Sequence, residues 1–137
     1  MNLFHKNRKR VLIVDDEPLV VEVTKDFLQE EGFDTSSAGT AVAAIQSMAK
    51  EPADLMLLDI SLPDQNGLKF LVEFKKNHPH VPVIILTGSG YDDTLMHEAL
   101  KSGASGYVSK DTDMENMVIT VKRLLKHRES HQIPRQG

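Results

Sequence analysis

The segment Leu55-Met56-Leu57-Leu58-Asp59-Ile60-Ser61-Leu62-Pro63 constrains the fold more than any other part of the chain. Four consecutive apolar residues ending in a carboxylate describe a strand buried on both faces, the pattern of a central strand in a parallel sheet. Pro63 and Gly67 prevent the next residues from continuing it. Ligands of open α/β sheets bind just beyond the carboxyl ends of the strands, which is where Asp59 falls. A single acid there is equally well explained as a helix cap. Asp15-Asp16-Glu17, standing in the same way after the apolar run Val11–Val14, weakens that simpler explanation.

The rest of the chain alternates between two periods. Val11–Asp15 is a β-branched, buried strand, and Asp16-Glu17-Pro18 opens a helix with acids in its first turn and proline where a missing N–H does no harm. Leu19, Val20, Val23, Phe27 and Leu28 supply its apolar face, and Gly32 its stop. Phe33–Ser37 is a polar strand suited to a sheet edge. The helix Thr40–Lys50 follows, with Ala43, Ala44, Ile45, Met48 and Ala49 at helical period, then the strand Asp54–Asp59. A helix over Gly67–Asn77, a strand over Val81–Thr87, a helix over Asp92–Ser102 and a strand over Gly106–Ser109 come next. Met114 to His127 forms the last helix, with Met117, Val118, Val121, Leu124 and Leu125 on one face; Ser130–Gly137 carries no packing signal and is expected to be a disordered tail or the start of a linker. Five strands alternating with five helices, joined by crossovers long enough for right-handed βαβ units, give an α/β fold around a parallel sheet.

Composition excludes several classes of function. The 137 residues suffice for one domain with a real core. With no cysteine there is no thiol nucleophile, disulfide or thiolate metal site. No apolar run approaches the roughly 18 residues of a membrane span, and a cytoplasmic location is the expectation. The net charge of −4 is unevenly spread. Nine of the sixteen basic residues lie at the ends, among them Lys6, Arg8, Lys9 and Arg10 before the first strand and Lys122, Arg123, Lys126, Arg128 and Arg135 at the far end, leaving a strongly acidic body. Without interleaved aromatic residues or a recognition-helix pattern, these ends read as solubilising rather than as a nucleic-acid site. The six histidines are scattered, and His78-Pro79-His80 falls in a turn away from the acidic clusters.

At the strand ends stand Asp15 with Asp16, Asp59, Thr87 and Lys110. A sheet that places these ends side by side gathers them on one rim. Converging carboxylates repel one another unless a cation intervenes, and an oxygen-only donor set favours Mg²⁺ or a similar hard ion. Thr87 offers a hydroxyl and Lys110 a positive charge, both suited to an incoming phosphoryl group. One carboxylate would then be the nucleophile of an aspartyl-phosphate.

The runs VLIVDDEP, LMLLDISLPDQNG, VIILTGSG and GASGYVSK resemble those of response-regulator receiver domains of two-component signalling, and the likeness extends from Val11 to about Lys126. It implies a flavodoxin-like, doubly wound five-stranded sheet of order 2-1-3-4-5, with a basic extension over 1–10, the receiver over 11–127 and a tail over 128–137. It further implies Asp59 as phosphoacceptor, Asp16 as direct Mg²⁺ ligand, Asp15 as support for the metal largely through water, and the Ser61 carbonyl as a further ligand. Thr87 and Lys110 would contact the phosphoryl oxygens, and Tyr107 would be the switch aromatic that follows Thr87. Ser61 and Ser89 flank the site and are expected to tune water access. The sequence departs from the family in having Asp111, where proline often follows the lysine, and Leu62, where methionine is common.

The function expected from this resemblance is a phosphorylation-controlled relay. A sensor histidine kinase or phosphotransfer protein is the donor. The last strand with the two helices beside it is the face read by a downstream protein, a fused output domain or a second copy. The rival readings are a degenerate receiver serving as a phosphorylation-independent docking module, which the intact residue set disfavours, and an aspartyl-phosphate phosphatase. The latter typically needs an acid two residues after its nucleophile, where this chain has Ser61.

Overall fold

A computed structural model describes residues 8–88 and 92–132; the basic stretch 1–7, the segment 89–91 that includes Ser89, and residues 133–137 lie outside it. The elements are β1 (Arg10–Val14), α1 (Pro18–Glu30), β2 (Asp34–Ala38), α2 (Ala41–Lys50), β3 (Leu55–Asp59), α3 (Gly67–Asn77), β4 (Val83–Thr87), α4 (Asp93–Lys101), β5 (Gly106–Ser109) and α5 (Met114–Gln132). All neighbouring strands pair parallel, in the order β2-β1-β3-β4-β5. This is the flavodoxin-like sheet, with the polar strand β2 at an edge and β3 between β1 and β4.

The sheet's two faces carry separate cores, because successive strand side chains point to opposite sides. Met56, Leu58, Val83 and Ile85 face α2, α3 and α4 through Ala44, Met48, Phe70, Phe74 and Ala99. Leu55, Leu57, Ile84 and Leu86 face α1 and α5 through Leu28, Met117, Val121 and Leu125. A strand coated on both sides must be apolar at every position, which is why LMLL in β3 and VIIL in β4 show no alternation.

Helix ends follow local chemistry. Thr40, Asn66 and Asp92 cap α2, α3 and α4 by accepting N–H bonds from the first turn, while Gly32 and Gly103 take up positive φ after α1 and α4. Three expectations are corrected. Asp16 and Glu17 precede α1 instead of forming its first turn, with Glu17 at the N-cap position and Pro18 at N1. The inner side of α1 is formed by Thr24 and Leu28, whereas Leu19, Val23 and Phe27 are exposed. Thr24 can be buried because its hydroxyl donates to the Val20 carbonyl at 2.6 Å. Ile45 on α2 likewise faces outward. Finally, α5 continues beyond His127 to Gln132; the apolar stripe ends at Leu125, but the sequence has no helix breaker before Pro134.

Three of the basic residues described near the ends pair with acids of the fold. Arg10 pairs with Asp34 and Glu51 and donates its amide to Asp54, Arg8 pairs with Asp34, and Lys122 pairs with Glu31. No helix among the described residues is long and apolar enough to cross a membrane.

Gly67 begins α3 directly against the end of β3. A Cβ there would lie 2.4 Å from the Ile60 carbonyl oxygen, and neither backbone segment is free to withdraw. Gly67→Ala is expected to lower stability by about 1–3 kcal/mol in a denaturant titration; an unchanged midpoint would show that the loop yields without cost.

Candidate functional site

The carboxyl ends of β1, β3, β4 and β5 meet on one rim because the strands are paired in near register there. Val14 is opposite Leu58, Asp59 opposite Leu86, and Thr87 opposite Ser109. Asp15 therefore emerges beside Asp59, and Lys110 one residue past the partner of Thr87. Two backbone bonds fix the ends: Asp15 donates its amide to Ala38 O at 3.0 Å, and Lys110 donates its amide to Thr87 O at 2.8 Å. Asp15, Asp59 and Thr87 are all buried.

Lys110 is the hub. Its Nζ lies 2.8 Å from Asp15 Oδ2, 2.9 Å from Glu17 Oε1 and 3.2 Å from Asp59 Oδ2. The remaining oxygens of the two aspartates turn back onto their own loops: Asp15 Oδ1 accepts the Glu17 amide and Asp59 Oδ1 accepts the Ser61 amide, both at 2.9 Å. Each aspartate is thus oriented by a backbone N–H two residues on, an Asx-type turn that follows directly from its position at a strand end.

Burial pushes the Asp15 carboxyl above its ordinary value, the Asp59 charge adding to the effect, and the contacts with Lys110 and the Glu17 amide only partly oppose it. For Lys110, burial acts to lower the pKa, but the bonds to Asp15 and Glu17 and the nearby carboxylate charges prevail and hold it above its usual value. The lysine is a permanent cation. Three carboxylates around one ammonium leave the cluster formally negative, so it has capacity for a second, stronger cation.

The donors suit such an ion. One oxygen each from Asp15, Glu17 and Asp59 fall within 4.8 Å of one another. No imidazole or thiolate belongs to this group. This is a hard-cation set appropriate to Mg²⁺.

Of the residues singled out from sequence, Lys110 contacts both Asp15 and Asp59, and Thr87 lies on the same rim. Asp16 is exposed and outside the three-carboxylate group; it borders a cleft with Asp15, Pro18, Thr40 and Pro63. Ser61 is exposed next to Asp59, joined through its amide. Tyr107 is half-buried on β5 opposite Ile85, packed against the core that includes α4. The Lys110–Asp111 peptide is trans, since no cis bond occurs among the described residues.

Glu17 is the site residue that sequence reasoning missed. Its place before Pro18 marks it as a helix-start residue, yet its side chain bonds Lys110 across 93 positions of sequence. The available signal was the triplet of acids at one strand end, of which a single member can be the helix N-cap residue.

The raised Asp15 pKa has a consequence for stability. Between the unfolded value of 3.8 and the higher folded value, the native state binds more protons. This carboxyl's contribution therefore falls as pH rises through that window, and ionised Asp15 is a net cost at neutral pH. Asp15→Asn is expected to raise the thermal midpoint at neutral pH, the gain vanishing below the unfolded value. A lowered midpoint at neutral pH would contradict this.

Comparison with known proteins agrees with the geometry. Residues 11–122 match the response regulator receiver domain family. The chain is 38% identical over 121 residues to the response regulator protein PilR of Pseudomonas aeruginosa, covering 86% of this chain and 27% of PilR. It is 36% identical over 124 residues to the transcriptional regulatory protein TrcR of Mycobacterium tuberculosis, covering 89% of this chain and 47% of TrcR. It thus spans less than half of either relative. The crystal structure of a CheY-like receiver domain protein from Methanospirillum hungatei superposes with a TM-score of 0.85 at 30% identity, covering 91% of this chain and 99% of that one. With the matched sheet order and the matched family region spanning most of its length, the chain belongs to the response regulator receiver domains of two-component systems.

Proposed function

We propose that Asp59 accepts a phosphoryl group from the imidazole of a sensor histidine kinase or phosphotransfer protein, and that the modified domain presents an altered face to a downstream partner. The observation that carries this reading is the contact between the buried Asp59 carboxylate and Lys110 Nζ at 3.2 Å, beside Asp15 on the strand-end rim.

In the transfer, an Asp59 oxygen forms a bond to phosphorus while the P–N bond to the donor imidazole breaks, and the departing nitrogen keeps the electron pair. The Ser61 amide holds Asp59 Oδ1, restricting the rotation of the carboxylate. Lys110 already stands at the other oxygen and supplies fixed positive charge where the phosphoryl oxygens arrive. Asp15, Asp59 and Glu17, the three carboxylates gathered at the rim, with Asp16 and the Ser61 carbonyl as the family resemblance implies, are the groups that would hold Mg²⁺, which when bound neutralises charge on the transferring group. Glu17 and Asp15 then give up part of their hold on Lys110 to the phosphoryl oxygens.

The added charge and acceptor oxygens bias a two-state element. Thr87 on the rim and Tyr107 on the neighbouring strand are the residues assigned to that element, and α4, β5 and α5 form the face it changes. That face would serve a downstream protein, a fused output domain or a second copy of the chain. The family's chemistry amounts to self-phosphorylation and self-dephosphorylation rather than turnover of an external substrate. A nucleic-acid role draws little support, because Arg8, Arg10 and Lys122 are paired with acids of the fold.

The test is intact mass after incubation with a small-molecule phosphodonor and Mg²⁺. A single phosphoryl adduct is expected in the wild type and none in Asp59→Asn, with Lys110→Ala slowed about a hundredfold. No adduct under any condition would instead indicate a phosphorylation-independent docking module.

A further inference from the structure

The loop joining β3 to α3 carries Ser61 and forms one wall of the site. Its base is closed by backbone contacts: Gly67 donates to Ile60 O at 3.1 Å, and Ser61 and Asn66 form an antiparallel bridge. Its tip is held differently. Asp64 Oδ1 accepts the Ala41 amide at 2.9 Å and Oδ2 accepts the Val42 amide at 3.1 Å, so both oxygens bind the first turn of α2, 22 and 23 positions earlier in the sequence.

The N-terminus of α2 is shared between a local residue and this distant one. Helix α2 already has its own cap, Thr40, whose hydroxyl accepts the Ala43 amide at 3.0 Å. The cap of the helix following Asp64 is Asn66, which accepts from Leu68 and Lys69. Asp64 therefore caps α2 from another loop, through the two N–H groups Thr40 leaves free, although it is exposed and could be fully hydrated. The bond from Ala41, ahead of the one from Val42, holds its carboxyl below the usual value, so it is ionised and at its strongest as an acceptor at neutral pH. The strand leading into α2 is itself anchored to the site, since Ala38 O receives the Asp15 amide. A continuous path of bonds runs from Asp15 through Ala38 and the start of α2 to Asp64, and back along the loop to Ser61 and Asp59.

We propose that Asp64 is a positioning residue for the phosphoacceptor site: by fastening the tip of the 60–66 loop to the N-terminus of α2 through both carboxylate oxygens, it fixes Ser61 relative to Asp59. The consequence for metal binding rests on the reading of Asp59 given above; the consequence for loop order does not.

Two measurements separate these consequences. In amide hydrogen exchange of the metal-free protein, Asp64→Ala is expected to speed exchange at Ser61 and Gly67 about tenfold, leaving Leu57 and Ile85 in the central strands unchanged. Asp64→Asn, which retains one carbonyl acceptor, is expected to fall between. In Mg²⁺ titration, Asp64→Ala is expected to weaken affinity about tenfold at a temperature where the variant is fully folded. Unchanged exchange at Ser61 and Gly67 would overturn the proposal, as would unchanged Mg²⁺ affinity in a variant whose only defect is a lower thermal midpoint; Asp64 would then be a plain helix cap. Faster loop exchange together with a wild-type protein that binds no Mg²⁺ would support the tether and overturn the phosphoacceptor reading instead.

Discussion

The rest of the site depends on one ammonium group held among three carboxylates. Without Lys110, Asp15 and Asp59 would be two buried like charges in proximity, an arrangement that proteins relieve by protonation or by separating the groups. With it, the carboxylates surround one fixed positive charge, yet the cluster remains negatively charged. That residual charge makes the rim an acidic cluster of the kind suited to a divalent cation. On the proposed reading, the same lysine would offer an incoming phosphoryl group a preplaced positive charge, in surroundings poorer in water than the open surface, where such charge acts most strongly.

The sheet makes this possible through register alone. Because β1, β3, β4 and β5 are parallel and end level with one another, four residues separated by up to 95 positions share one edge, and none needs a long side chain to reach it except Lys110. The two apolar cores beneath hold the strands in that register, since slipping by one residue would exchange the faces of every side chain. Backbone bonds then aim the polar groups, with the Glu17 and Ser61 amides turning Asp15 and Asp59 and the Thr87 carbonyl seating Lys110. Stability and function conflict at one point. Burial of Asp15 makes its charged form costly, and a less charged rim would fold more readily but bind cations less well.

Much of this was legible in the sequence. Runs such as LMLL before Asp59 and VIIL before Thr87 announce strands coated on both sides, and the rule that α/β sheets bind at strand ends makes the terminal residues candidates as a set. Less legible was anything decided by which way one side chain turns. Among three successive acids, the sequence does not say that Glu17 reaches Lys110 while Asp16 faces outward. On α1 the apolar count favours the row Leu19, Val23 and Phe27, yet the buried row includes Thr24, whose hydroxyl is satisfied within its own helix. Asp64 lies in a loop rich in turn formers, and its partners on α2 are fixed only by the tertiary fold. The end of α5 escaped for a different reason, since the apolar stripe marks where packing stops and a solvated helix can continue past it.

The most direct test of the central claim is the Mg²⁺ binding isotherm of the wild-type protein beside those of Asp15→Asn and Asp59→Asn. If the strand-end carboxylates form a cation site around Lys110, the wild type binds one Mg²⁺ per chain, and each substitution weakens that binding at least tenfold while the fold is retained. Absence of saturable binding in the wild type, or equal binding by all three proteins, would contradict it.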